Sequence, residues 1–267
     1  MKLRFQRKYL CIPYWAFLIL FVIIPIFIII YYAFTDTNGF FSMDALIDFF
    51  TSPVKINVLL VSIFIGLQTT LICLIIGYPL SYFLANKKFN KNVVLVMLFI
   101  MPMWINFVLR TGATRDVLFW LGINGGTYPY LATLIGMVYN YLPFVILPLY
   151  TTMLKIDQSQ VEAALDLGAS PMRAFTHAVV PQTLPGIVSA SMMVFMPTMS
   201  SYVISDTLSE GKISLFGNTI YLNFSNSQWN TGSFMALIML VIIGLLMFVT
   251  RNANVKAEDR ARGTGLW

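Results

Sequence analysis

Apolar residues in this chain gather into long uninterrupted runs instead of the short helical or strand periods of a soluble fold. The runs are Ile12 to Phe34, Asn57 to Ala85, Val93 to Leu109, Leu131 to Leu154, Leu184 to Ile204 and Ser233 to Thr250. A helix needs roughly 20 residues, within about 17–25, to cross a hydrocarbon core ~30 Å thick. Each run reaches that length, which predicts an all-α integral membrane protein with six transmembrane helices. The second run exceeds it and carries Gly77-Tyr78-Pro79, so an oblique or kinked helix is expected there. The third is short and interrupted by Pro102, the fourth holds Pro143 and Pro148, and the fifth offers Gly186, Ser189, Ala190 and Ser191 as a small-residue face for close packing. The first run is too long for a signal-peptide core of about 7–15 residues and lacks an evident A-x-A site, so an uncleaved anchor is expected.

Composition agrees. Hydrophobic residues make up 58% and charged residues 10%, with a mean hydropathy of +0.78, against roughly 45–50% apolar and 25% charged in soluble domains. A net charge of +6 could suggest nucleic acid, but the basic residues cluster at run ends, which points to a bilayer surface instead. With the N-terminus inside, the inner segments hold Lys2, Arg4, Arg7, Lys8, Lys87, Lys88, Lys91, Lys155, Arg173, Arg251, Lys256, Arg260 and Arg262, thirteen of the seventeen Lys and Arg. Lys55, Arg110, Arg115 and Lys212 remain outside, in loops at Thr35 to Ile56, Arg110 to Tyr130 and Asp206 to Gly232. The positive-inside rule therefore predicts both termini in the cytoplasm. Phe119-Trp120 would be interfacial, and the charged tail after Arg251 partly frayed. Cys11 falls at the inner edge and Cys73 within a run, so no disulfide is expected.

One inner segment stands apart. Asp157 to Pro185, DQSQVEAALDLGASPMRAFTHAVVPQTLP, is polar yet composed for helix. Ser159 and Glu162 have the spacing of a capping box. Val161, Ala164 and Leu165 then share a face, and Gly168 stands where a helix C-terminus needs positive φ. Ser170-Pro171 reads as a second N-cap with proline at the first helical position, opening a segment with Arg173, Phe175 and His177 before Pro181. The expectation is a rigid helix–turn–helix.

These residues carry a resemblance. Glu162-Ala163-Ala164, then Gly168, then Ala178-Val179-Val180-Pro181 is similar to the EAA signature of ABC importer permeases, with Ala178 and Val180 in place of the usual isoleucine and leucine. The resemblance implies a cytoplasmic coupling loop, about 157–181, in which Glu162, Ala163, Ala164, Leu165, Gly168, Ala169, Ser170, Pro171 and Arg173 engage a separate ATPase. Met101 to Thr111, Gly77-Tyr78-Pro79 with Tyr82 to Ala85, Tyr202 to Asp206 with Gly217 to Ile220, and Trp229 to Gly232 resemble the B-type permease of spermidine/putrescine importers. That implies a segment 1–56 with the first helix and an external loop, a permease domain at 57–250, and a cytoplasmic tail at 251–267. It also implies a multi-pass protein of a bacterial cytoplasmic membrane. The implied partners are two copies of an ATP-binding subunit, a homologous C-type permease and an external polyamine-binding protein.

No Asp, Glu, Lys, Arg or His falls inside the six runs. Ion-coupled carriers and intramembrane enzymes keep such groups at depth, so an ATP-independent carrier or channel and a membrane enzyme are both disfavoured. No catalytic or metal constellation is visible, and His177 reads as a solvated loop residue. The chain has no G-x-x-x-x-G-K-[ST], since Gly211-Lys212 lacks the leading glycine and is followed by Ile213. No cofactor is expected in this chain, and ATP would be bound by a partner. For a cationic solute, Trp104 and Asn106 beside Pro102, and Tyr202 and Asp206 beyond Pro197, are candidate pathway residues through cation–π and carboxylate contacts. Equally, the aromatics fit an interfacial belt and Asp206 a solvated loop charge.

Overall fold

The computed structural model describes residues 11–36, 38–86 and 93–261. The basic residues Lys2, Arg4, Arg7, Lys8, Lys87, Lys88, Lys91 and Arg262 lie outside the described residues. Helices dominate, and the one β contact among the described residues is an isolated antiparallel bridge between Thr35 and Phe41. In chain order they are α1 (Cys11–Leu18), α2 (Ile24–Ala33), α3 (Asp44–Thr51), α4 (Pro53–Ala85), α5 (Val94–Ile100), α6 (Phe107–Trp120), α7 (Pro129–Met153), α8 (Gln158–Asp166), α9 (Pro171–Ala174), α10 (Val180–Ser200), α11 (Val203–Ser209), α12 (Phe216–Ser225) and α13 (Trp229–Ala261).

Among the described residues, five helical stretches are long and apolar enough to cross a membrane: Pro13–Ala33, Pro53–Ala85, Pro129–Met153, Pro171–Ser200 and Trp229–Thr250. Val94–Trp104 and Phe107–Trp120 meet the same test only as a pair, bent by 98° at the break between them, which is the shape of a broken span or a re-entrant loop. The bend has a local cause. Pro102 sits in a 3-10 turn at Met101–Trp104, Ile105 is extended at ψ 139°, and Asn106 restarts the helix by accepting from the N–H groups of Val108 and Leu109.

Three expectations are corrected here. The segment from Arg110 to Tyr130 is not a loop throughout, because α6 continues to Trp120. The stretches Thr35 to Ile56 and Asp206 to Gly232 contain α3 and α12, with α11 overlapping the start of the latter. The helix that holds the fifth run does not begin at Leu184 but continues from Pro171 through a π-turn at Phe175–Val179. Pro181 explains that turn: it brings no N–H, so the preceding carbonyls must find other donors, and a widened turn accommodates this.

The described residues form two compact units, one within Met1–Asn57 and Thr219–Ile242, the other within Val58–Asn218 and Ile243–Trp267. In the first, an aromatic cluster closes the core: Phe34 meets Phe41 and Phe234, Phe49 meets Phe234, and Tyr32 meets Trp229. Asn230 ties this cluster to the end of α2 by donating to the carbonyls of Tyr32 and Thr35.

The larger unit is built on α7. Its pairing with α10 is close because small residues face it: a Cβ on Gly186 would lie 2.6 Å from Thr152 Oγ1, and Ala190 is fully buried beside Val145 and Leu149. Ser189, expected on that face, is exposed and bonds back to the Pro185 carbonyl, so the packing stripe is Gly186 and Ala190, one turn apart. On the other side Leu118 of α6, Met137 of α7, and Ile204 and Leu208 of α11 share one core.

Candidate functional site

The polar segment between α7 and α10 folds as a capped hairpin. Asp157 is the N-cap of α8: it is extended, and its carboxylate accepts from the Ser159 N–H at 3.0 Å and the Ser159 hydroxyl at 2.7 Å. The expected capping box is therefore corrected. Ser159 lies inside the first turn, and its N–H is already taken, leaving Glu162 nothing to reach back to. These bonds hold the Asp157 carboxyl below the usual carboxylate range, the Ser159 hydroxyl contributing most and its N–H next.

The far end of α8 closes as expected at Gly168, with φ +82°. Ala169 N–H reaches the Ala164 carbonyl at 3.1 Å and Gly168 N–H the Leu165 carbonyl at 2.9 Å, the paired bonds of a Schellman motif. Two residues on, Ser170 accepts from Arg173 N–H at 3.4 Å with Pro171 at the first helical position. Both ends of the Gly168 turn are thus capped by local hydrogen bonds.

The second arm is anchored by its apolar side. Phe175 packs edge-on against Tyr78 and Tyr82 near the end of α4, with centroids 5.9 and 5.4 Å apart, and Ala174 and Val179 are buried. Tyr78 Oη lies 2.8 Å from Thr183 Oγ1. The outer side is bare. Glu162, Ala163, Leu165, Gly168, Ser170, Pro171 and Arg173 are exposed, while Ala164 and Ala169 are half-buried. Leu167 is 89% exposed and Met172 71%. Those two large apolar residues at the tip were not among the sequence candidates. Their signal was available, since neither shares the apolar face of Val161, Ala164 and Leu165. His177 is exposed, with Nδ1 within hydrogen-bond distance of the Thr176 hydroxyl and the Arg173 carbonyl.

The four pathway candidates separate into different roles. Trp104 is 87% exposed, while Asn106 spends its carboxamide oxygen capping α6. Tyr202 and Asp206 are exposed at the start of α11. A cavity of about 310 Å³ between α6, α7 and α11 is lined by residues including Arg115, Leu118, Leu208 and Glu210, and by none of the four.

Sequence reading also missed Arg110. It is 7% exposed and all three guanidinium nitrogens are occupied: Nε donates to Asn140 Oδ1 at 2.8 Å, Nη1 to the Pro102 carbonyl at 2.6 Å, and Nη2 to the Asn140 carbonyl at 3.3 Å. The cation also lies 5.9 Å from the Tyr139 ring centroid. A buried guanidinium from α6 thus meets the middle of α7, although no ionisable residue lies inside the six apolar runs themselves. Its partner lies thirty positions away in sequence, and that pairing leaves no local signature.

No protein-family model matches the chain. In overall fold it is similar to a chain of a bacterial ABC transporter involved in the import of the acidic polysaccharide alginate, with a TM-score of 0.63 and 16% identity over 92% of this chain and 94% of that one. In sequence it is 34% identical to the spermidine/putrescine transport system permease protein PotB of Escherichia coli strain K12, over 91% of this chain and 97% of the relative. The PotB of Haemophilus influenzae is 32% identical over 94% of both chains. Identity of this level along nearly the whole length, on a helical bundle of importer type, means that the chain belongs to the PotB family of transport system permease proteins.

Proposed function

We propose that the chain is one permease subunit of an ATP-driven importer of spermidine and putrescine, and that the α8–α9 hairpin is where it engages the ATPase. It is a multi-pass protein of a bacterial cytoplasmic membrane, with both termini and the hairpin on the cytoplasmic side. Two copies of an ATP-binding subunit, a homologous C-type permease and an external polyamine-binding protein complete the importer. This chain supplies half of the pathway and no nucleotide site; ATP is bound by the partner. The substrate reading is supported by the names of the PotB relatives.

The observation that carries the coupling reading is the exposed tip of the hairpin. Leu167 and Met172 stand bare at the end of a doubly capped turn, flanked by the small residues Ala163 and Gly168. A partner groove that buries both removes their apolar surface from water, at roughly 1.5–3 kcal/mol for each side chain fully covered. Caps at both ends keep the hairpin from deforming when pushed. For the pathway, Trp104, Tyr202 and Asp206 are each exposed, and each has a side chain, aromatic or carboxylate, of a kind that suits an alkylammonium ion.

The test is co-purification of the full chain with its ATPase, together with spermidine uptake by reconstituted vesicles. Glu162→Lys and Gly168→Pro are expected to abolish both while the permease still inserts. Uptake by the purified chain alone, without any ATPase, would overturn the reading.

A further inference from the structure

Gln182, in the first turn of α10, makes two hydrogen bonds in opposite directions. Its Oε1 accepts the backbone N–H of Asp157 at 2.9 Å, and its Nε2 donates to the Ala178 carbonyl at 2.9 Å. A backbone N–H can only donate and a carbonyl can only accept, so the two partners together fix which way the amide points. Asp157 is the N-cap of α8, so this side chain joins the start of that helix directly to the membrane helix that follows it.

The connection matters because the covalent route from α8 to α10 leaves from the far end of α8, through the capped Gly168 turn and α9. The near end of α8 is joined covalently to α7 alone. Without a further bond, only the far end of α8 would be tied to α10. The Gln182 bond attaches the opposite end of α8, and the two attachments together make a closed frame.

We propose that Gln182 is a positioning residue, the brace through which displacement of α8 is delivered to α10. This rests on the coupling reading given above. Removing the brace leaves the hairpin able to bind a partner, because Leu167, Met172 and Glu162 are untouched, but lets α8 move without moving α10. Hydrolysis then continues with less solute carried for each ATP consumed.

The experiment uses the whole importer in proteoliposomes, measuring spermidine uptake and ATP hydrolysis on equal amounts of assembled complex. Gln182→Leu, of similar volume and lacking both bonds, is expected to assemble normally and to lower the uptake-to-hydrolysis ratio by about fivefold, the population change that one lost hydrogen bond allows. Gln182→Glu keeps the acceptor for Asp157 N–H and is expected to recover most of the ratio, which a volume or folding effect would not discriminate. An unchanged ratio in Gln182→Leu, or equal loss in both variants, overturns the proposal. Glu162→Lys serves as the separate control: if that variant still assembles and transports, it is the coupling reading that fails, whatever Gln182 does.

Discussion

Arg110 shows what a single side chain can hold together in an apolar bundle. Its hydrogen-bond partners are all neutral, and the fork of donors spans a carboxamide and two carbonyls on separate segments. Arg110→Met is expected to leave the buried Asn140 Oδ1 unpaired, at about 1–3 kcal/mol, while the Pro102 carbonyl keeps the Ile105 N–H. The purified protein should unfold at a clearly lower temperature in detergent. Arg110→Lys is expected to recover only a minor part, since a single ammonium cannot reach all three acceptors; full recovery would show that charge alone suffices. A second prediction concerns Asp157, whose folded carboxyl is held below its usual range. A depressed folded value means that the cap contributes stability above the unfolded carboxyl pKa and loses it as pH falls through the folded one. The Ser159 amide should therefore lose protection, measured against its intrinsic exchange rate at each pH, on acidification. In Asp157→Asn, which caps without titrating, that loss should vanish.

Among the helices, glycine decides how close neighbours come. A Cβ on Gly136 of α7 would lie 1.8 Å from Leu208 Cδ1, at the end of a side chain that can rotate. On Gly217 of α12 it would meet the Ser200 backbone, with the carbonyl oxygen 2.3 Å away. Backbone cannot step aside, so Gly217→Ala is expected to cost more stability than Gly136→Ala, within roughly 1–3 kcal/mol for overpacking; thermal unfolding of the two variants checks the order. This level was only partly legible beforehand. The runs from Asn57 and Leu131 matched α4 and α7 to within a few residues, because apolar length is set by the bilayer. Helices α3, α11 and α12 went unread because they are short and mixed in polarity, with stability drawn from packing such as Phe49 on Phe234 and not from their own pattern. Gly168 and Ser170-Pro171 were readable because each acts through its immediate neighbours. Gln182 and Arg110 were not, since their partners lie far along the chain.

For the molecule as a whole, the proposed orientation puts Asp166 in the cytoplasm. Asp166→Cys in a Cys11→Ser background should react with a membrane-impermeant thiol reagent in inverted vesicles and resist it in intact cells, Cys73 being fully buried. Labelling from outside would invert the topology. Pro171 to Ser200 forms one helix of 30 residues, which at 1.5 Å per residue is a rod of roughly 45 Å. Its foot lies beside the hairpin tip, and at its head the chain turns into α11. A lever of that length magnifies: a tilt of about 5° about its foot carries the head sideways by roughly 4 Å, enough to open or shut a passage for a slender cation.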